Sequence, residues 1–178
     1  MKPMIAALAL TVATIGTSAA WGQAALPIAG YQPIDDVPGA KHLPNPALDY
    51  KVLFEVTKGA EKTGDVNPSL IRVARYLNTL AKYGVPADRR HLAIVIYGAA
   101  TDALLQDKAF AARYAGASNP NLKLLRQLHD AGVAIMVCGQ AVRMRKIDPS
   151  ELAPEVQLTL SATVTMINLQ TEGYVRVE

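Results

Sequence analysis

The chain has 178 residues, 51% of them apolar, with a formal charge of +3 and a single cysteine. That length and apolar content suit one domain with a sizeable core, and the small net charge without a basic tract excludes a nucleic-acid-binding design. One thiol excludes an internal disulfide and dithiol exchange of the Cys-x-x-Cys kind.

Residues 1–24 have the layout of a secretory signal peptide: a basic start at Lys2, an uncharged apolar run over 4–15, then small residues at Ser18, Ala19, Ala20, Gly22 and Ala24. The run is shorter than the roughly 20 residues of a membrane span, so no stable span is expected after cleavage. Export to a bacterial periplasm or beyond is the expected fate. Residues 25–49 hold Pro27, Pro33, Pro38, Pro44 and Pro46, which argue against helix or central strand. This is a Pro-rich arm or linker, either laid over the domain or a neighbouring subunit or loosely ordered.

The folded domain is expected over 50–178. Residues 50–57 read as a first strand. Pro68 opens a helix with Asn67 as its N-cap and an apolar face of Leu70, Val73, Ala74, Leu77, Leu80 and Ala81, stopped by Gly84 and Pro86. Residues 91–97 form an unbroken apolar strand, the pattern of a strand covered on both faces. One or two short helices are expected over 101–115, and another from Asn119-Pro120 through His129, with Leu122, Leu125 and Leu128 inward. Residues 133–138 form the central strand. A helix to about Lys146 follows, then a strand over 155–160 marked by Val156, Leu158 and Leu160. A helix over 161–171 faces inward with Ala162, Thr165, Met166 and Leu169, and a last strand spans 174–177. Alternating elements of this kind imply an α/β fold with a mainly parallel sheet of about five strands and right-handed crossovers.

Cys138 ends the central strand, with Gly139 and a helical stretch behind it. A thiol there lies near helix N-terminal amides that favour a thiolate; equally, a free cysteine can serve as a small buried hydrophobe. In an open parallel sheet, ligands gather beyond the carboxyl ends of the strands. Those ends bring Thr57 with Lys58 and Gly59, Tyr97 with Gly98, and Cys138 with Gly139 and Gln140 to one crevice. No Gly-x-Gly-x-x-Gly or phosphate loop supports nucleotide binding. His42, His91 and His129 have no metal-ligand spacing, and Arg143-Met144-Arg145-Lys146 reads as a solvated helix end or an anion-attracting patch.

Asn119-Pro120 before a Leu-patterned helix, Ala131-Gly132-Val133, Val137-Cys138-Gly139-Gln140 and the closing Leu169-Gln170-Thr171-Glu172-Gly173-Tyr174 together resemble the DsrE/DsrF-like (YchN-like) family of sulfur-metabolism proteins. The resemblance implies a three-layer α/β/α fold, trimers or hexamers of one chain, and no organic cofactor. In sulfurtransferase members a cysteine at the position of Cys138 carries sulfur as a persulfide to a partner protein. Many relatives have His where this chain has Tyr97, so a His-assisted mechanism does not carry over. The expected function is sulfane-sulfur binding or transfer on Cys138, with a sulfur donor or acceptor protein as partner and with Lys58, Gly59, Tyr97, Gly98, Gly139 and Gln140 around the sulfur. The alternative is a non-catalytic homo-oligomeric binding or scaffold protein in which Cys138 only packs.

Overall fold

The computed structural model describes residues 25–178; the signal-peptide expectation for residues 1–24 lies outside them. Five parallel strands, β1 (Tyr50–Val56), β2 (Arg90–Ile96), β3 (Ala134–Cys138), β4 (Gln157–Thr159) and β5 (Val175–Val177), stand in the order β4-β3-β2-β1-β5. The long central pair is in register from Tyr50 opposite Arg90 to Val56 opposite Ile96.

The topology decides which faces are covered. Strands β1 to β4 step one way across the sheet, so right-handed crossovers put α1 (Pro68–Lys82) and α3 (Leu122–Asp130) on one face. The chain then returns from β4 to β5 at the far edge, which places α5 (Ala162–Thr171) on the opposite face. Two cores result. Val52, Phe54, Val56, Leu92, Ile94, Ile96, Ile135 and Val137 pack under α1 and α3. Leu53, Ala93, Val95 and Cys138 pack with Ala162 and Leu169 of α5. Burial on both sides is why β2 reads as an unbroken apolar run rather than an alternating one.

Asn67 caps α1 as its sequence suggests, its side chain accepting the Ser69 N–H at 2.9 Å. The Pro-rich arm lies along this helix. Ile28 is fully buried and exchanges two hydrogen bonds with the Asn78 side chain, at 2.9 and 2.8 Å. The Ile34 N–H donates to Thr79 Oγ1 at 2.8 Å, and Lys82 pairs with Asp36 at 2.7 Å. Asn78 is satisfied by arm backbone, and Thr79 accepts from the arm while its hydroxyl donates to the Arg75 carbonyl one turn back at 2.7 Å, which explains why a helix core tolerates both.

The predicted helix from Asn119 starts at Leu122 instead. Asn119 Nδ2 donates to the carbonyls of Ala103 and Leu105, and Asn121 Oδ1 accepts the Asn67 N–H, so both asparagines tie loops together. The 101–115 region becomes a 3-10 helix (Gly98–Leu104) and α2 (Asp107–Arg113). β4 is shorter than its alternating pattern suggests, and of the apolar residues that marked it only Val156 packs against the core: Leu158 is exposed, and Leu160 is 71% exposed.

Candidate functional site

Cys138 is the last residue of β3, and α4 (Gly139–Met144) begins at the next residue. Cys138 occupies the N-cap position, yet its side chain makes no capping hydrogen bond, and α4 is only six residues long. The thiol is 7% exposed, inside the apolar cluster on the α5 face. Gly139 has a steric reason to be glycine. A Cβ there would stand 2.5 Å from the Thr159 carbonyl oxygen, because β4 closes on β3 at this point. Gly98 meets a similar demand at the end of β2, with φ +62° and a would-be Cβ 3.1 Å from the Thr57 oxygen.

Tyr97 connects the thiol's surroundings to a polar neighbourhood. Its ring borders the cluster that holds Cys138, and its hydroxyl donates to Glu55. Glu55 is 7% exposed at its side chain and pairs with Arg176, which also reaches Glu178 at 3.0 Å. Strand alternation sets this up: Glu55 points to the same face as Leu53, and Arg176 stands one residue out of step with Val175 and Val177. The hydrogen bond to Glu55 holds the Tyr97 hydroxyl above its ordinary pKa. Burial and the Glu55 charge add to this, Arg176 opposes it, and a Cys138 thiolate would raise it further. Tyr97 is therefore a neutral O–H donor at physiological pH.

A cavity of about 400 Å³ opens beside this chain, bordered by Glu55, Lys58, Arg72, Tyr97, Arg176 and Glu178. Cys138 is not in its wall; Tyr97 is the residue between them. Of the predicted site residues, Tyr97 and Lys58 thus share a cavity, and Cys138 and Gly139 share the adjoining strand end. Gly98 shapes the close approach of β2 to β1. Gly59 lines a different cavity, of about 240 Å³, with Asp102 and Tyr114. Gln140 is exposed and gives its side-chain amide to the Leu160 carbonyl at 3.2 Å.

Sequence reasoning missed Glu55 and Arg176. The available signal was a carboxylate in the middle of an apolar strand, which burial permits only with a partner. It also treated Arg145 as part of a solvated helix end. Arg145 instead binds Asp102 through two nitrogens, and Tyr114 donates to the same carboxylate at 2.6 Å. Arg113 caps the carbonyls of Arg145 and Lys146 at 3.2 and 3.1 Å. This network fastens the end of the short helix that follows Cys138. Among the described residues, no group of three or more His, Cys, Asp or Glu is arranged to hold a metal ion, and no helix is long and apolar enough to cross a membrane.

No curated protein matches the chain at a significant level of similarity. Among solved structures, a protein of unknown function from Methanobacterium thermoautotrophicum superposes with a TM-score of 0.55 at 19% identity, over 72% of this chain and 98% of its own. That likeness speaks for the fold alone, a five-stranded parallel α/β sheet. Residues 50–177, the whole sheet with its helices, match the DsrE/DsrF-like family, and the chain therefore belongs to the DsrE/DsrF-like family, whose name points to a role in sulfur metabolism.

Proposed function

We propose that this protein takes up and passes on sulfane sulfur through Cys138. The observation that carries the reading is the position of the chain's only thiol, at the carboxyl end of β3, which lies beside the central strand β2 of a DsrE-like sheet, next to the Tyr97–Glu55–Arg176 chain and its cavity. The Cys138 thiolate attacks the outer sulfur of a donor persulfide, R–S–SH; the donor's S–S bond breaks and R–S⁻ leaves, so Cys138 becomes Cys–S–SH. An acceptor thiolate then attacks that outer sulfur, forms R′–S–SH and returns Cys138 as a thiolate. No external oxidant or reductant is needed. Lys58 and Arg176 in the adjoining cavity would hold an anionic group of the donor or acceptor, while Tyr97, its hydroxyl given to Glu55, forms the wall between that cavity and Cys138.

Transfer from loaded protein to an added low-molecular-weight thiol tests this. Sulfane sulfur should appear on the acceptor with wild-type protein and be absent with Cys138→Ser; equal transfer by both would contradict the reading.

One observation favours a second reading, in which Cys138 only packs: its 7% exposure among Leu53, Ala93 and Val95. Native-state labelling with a small thiol reagent separates the two. Sulfur handling predicts complete modification of the folded protein. A structural cysteine predicts modification only after unfolding.

The reading also includes assembly and export. Leu160, Val164 and Ile167 stand exposed on and just before α5, apolar residues that a second copy of the chain would cover. A homotrimer or homohexamer is proposed on this ground, with residues 1–24 directing the chain to the periplasm. Ile167→Glu with Leu160→Glu is expected to reduce the sedimentation coefficient to that of a folded monomer. An unchanged value would place the subunit interface elsewhere.

A further inference from the structure

The edge strand β5 leaves the α1 face of the sheet incompletely covered. α1 packs over β1 and β2, so β5 has no helix above it on that face, and Val175 is 66% exposed. The result is a groove of about 710 Å³ between α1 and the β1–β5 edge, far from Cys138, which belongs to the opposite face. Its volume falls in the roughly 300–1,000 Å³ range of pockets that bind small organic molecules.

The walls are apolar: Val52, Phe54, Ile71, Tyr76, Val175 and Val177. Two arginines border the same groove without a carboxylate partner among the described residues. The Arg72 guanidinium stands 5.6 Å from the Phe54 ring centroid, and Arg75 Nε is shut off from solvent with no acceptor. The other charges at the rim are Asp49, 4.0 Å from Arg89, and Lys51, whose Nζ donates to the Glu172 carbonyl at 2.9 Å. Apolar walls with cations lacking counter-ions are complementary to an apolar chain with an anionic head.

We propose that this groove binds an amphiphilic carboxylate, its hydrocarbon along β1 and β5 and its head at Arg72 and Arg75. The groove shares Arg72 with the cavity beside Tyr97, but Cys138 lies on the opposite face of the sheet.

Dodecanoate, titrated calorimetrically below its micelle concentration into the purified chain, is the probe. One saturable site per chain is expected. Arg72→Gln with Arg75→Gln should weaken binding about tenfold or more, and dodecanol and dodecyltrimethylammonium should bind at least about tenfold more weakly than dodecanoate. Ile71→Trp, which fills the groove while keeping both arginines, should abolish binding while circular dichroism shows a folded chain. Cys138→Ser should bind as the wild type does, whatever becomes of the sulfur reading. Absence of a saturable site, equal affinity for the cationic amphiphile, or unchanged affinity in the double variant would overturn the proposal. So would loss of an oligomer in Val175→Glu without dodecanoate binding in the wild type, since the groove would then be a subunit seam.

Discussion

Gly139→Ala is expected to destabilise the domain by about 3 kcal/mol, at the upper end of what overpacking usually costs. The added methyl would meet the Thr159 carbonyl oxygen at 2.5 Å, and that oxygen belongs to backbone rather than to a side chain that can swing aside. Thr159 pairs with Cys138 in the β3–β4 ladder, and its own hydroxyl bonds the Val137 carbonyl at 3.0 Å. Relief must come from shifting β4 or the start of α4, and either displaces Cys138. Urea unfolding should show a lower midpoint with an unchanged slope, together with slower sulfur transfer by the fraction that remains folded. A loss below about 0.5 kcal/mol, the scatter of ordinary surface substitutions, would contradict this account of the strand end.

Asp102→Asn is expected to cost about 2 kcal/mol at neutral pH and to flatten the acid limb of the stability curve. Removing one partner of a buried ion pair typically costs about 3–5 kcal/mol, and the figure here is smaller because Arg145 is 32% exposed and regains water. Burial by itself would raise the Asp102 carboxyl. The hydrogen bonds from Arg145 and Tyr114 outweigh it, with the charges of Arg145 and Arg113 adding, and hold the carboxyl below its ordinary value. A carboxyl depressed in the folded state takes up its proton first in the unfolded chain as pH falls. Its contribution is therefore complete above the ordinary aspartate range near 4 and disappears as pH drops through the lower folded value. Wild type and variant should differ most at neutral pH and converge in acid. A constant gap from pH 7 to pH 3 would show that the lost contacts are steric rather than ionic.

The parts of the fold that could be read from sequence are those where a local pattern and the global topology ask for the same thing. The uninterrupted run of β2, the Asn67-Pro68 start of α1 and the Cys138-Gly139 strand end are of this kind. Leu158 and Leu160 show the limit. Their alternation marks apolar positions, but among the described residues nothing covers them, so an alternating pattern expected to be buried is left outside. Asp102 and Arg145 are 43 positions apart, and no local pattern joins them. Glu55 was open to detection as a charge within an apolar strand. Its partner Arg176 was not, because β5 reaches β1 only through the return crossover over the sheet. The same crossover brings α5, and with it the second wall around Cys138. Sequence therefore marked the thiol and Tyr97 but not the Glu55–Arg176 pair to which Tyr97 is tied.

The measurement that bears most directly on the central claim is the intact mass of the native protein after exposure to a sulfane-sulfur donor, with Cys138→Ser alongside. Sulfur handling predicts a gain of one sulfur atom on the wild type, removable by reductant and absent from the variant. An unmodified mass on folded, donor-exposed wild-type protein, or an equal gain on Cys138→Ser, would contradict it.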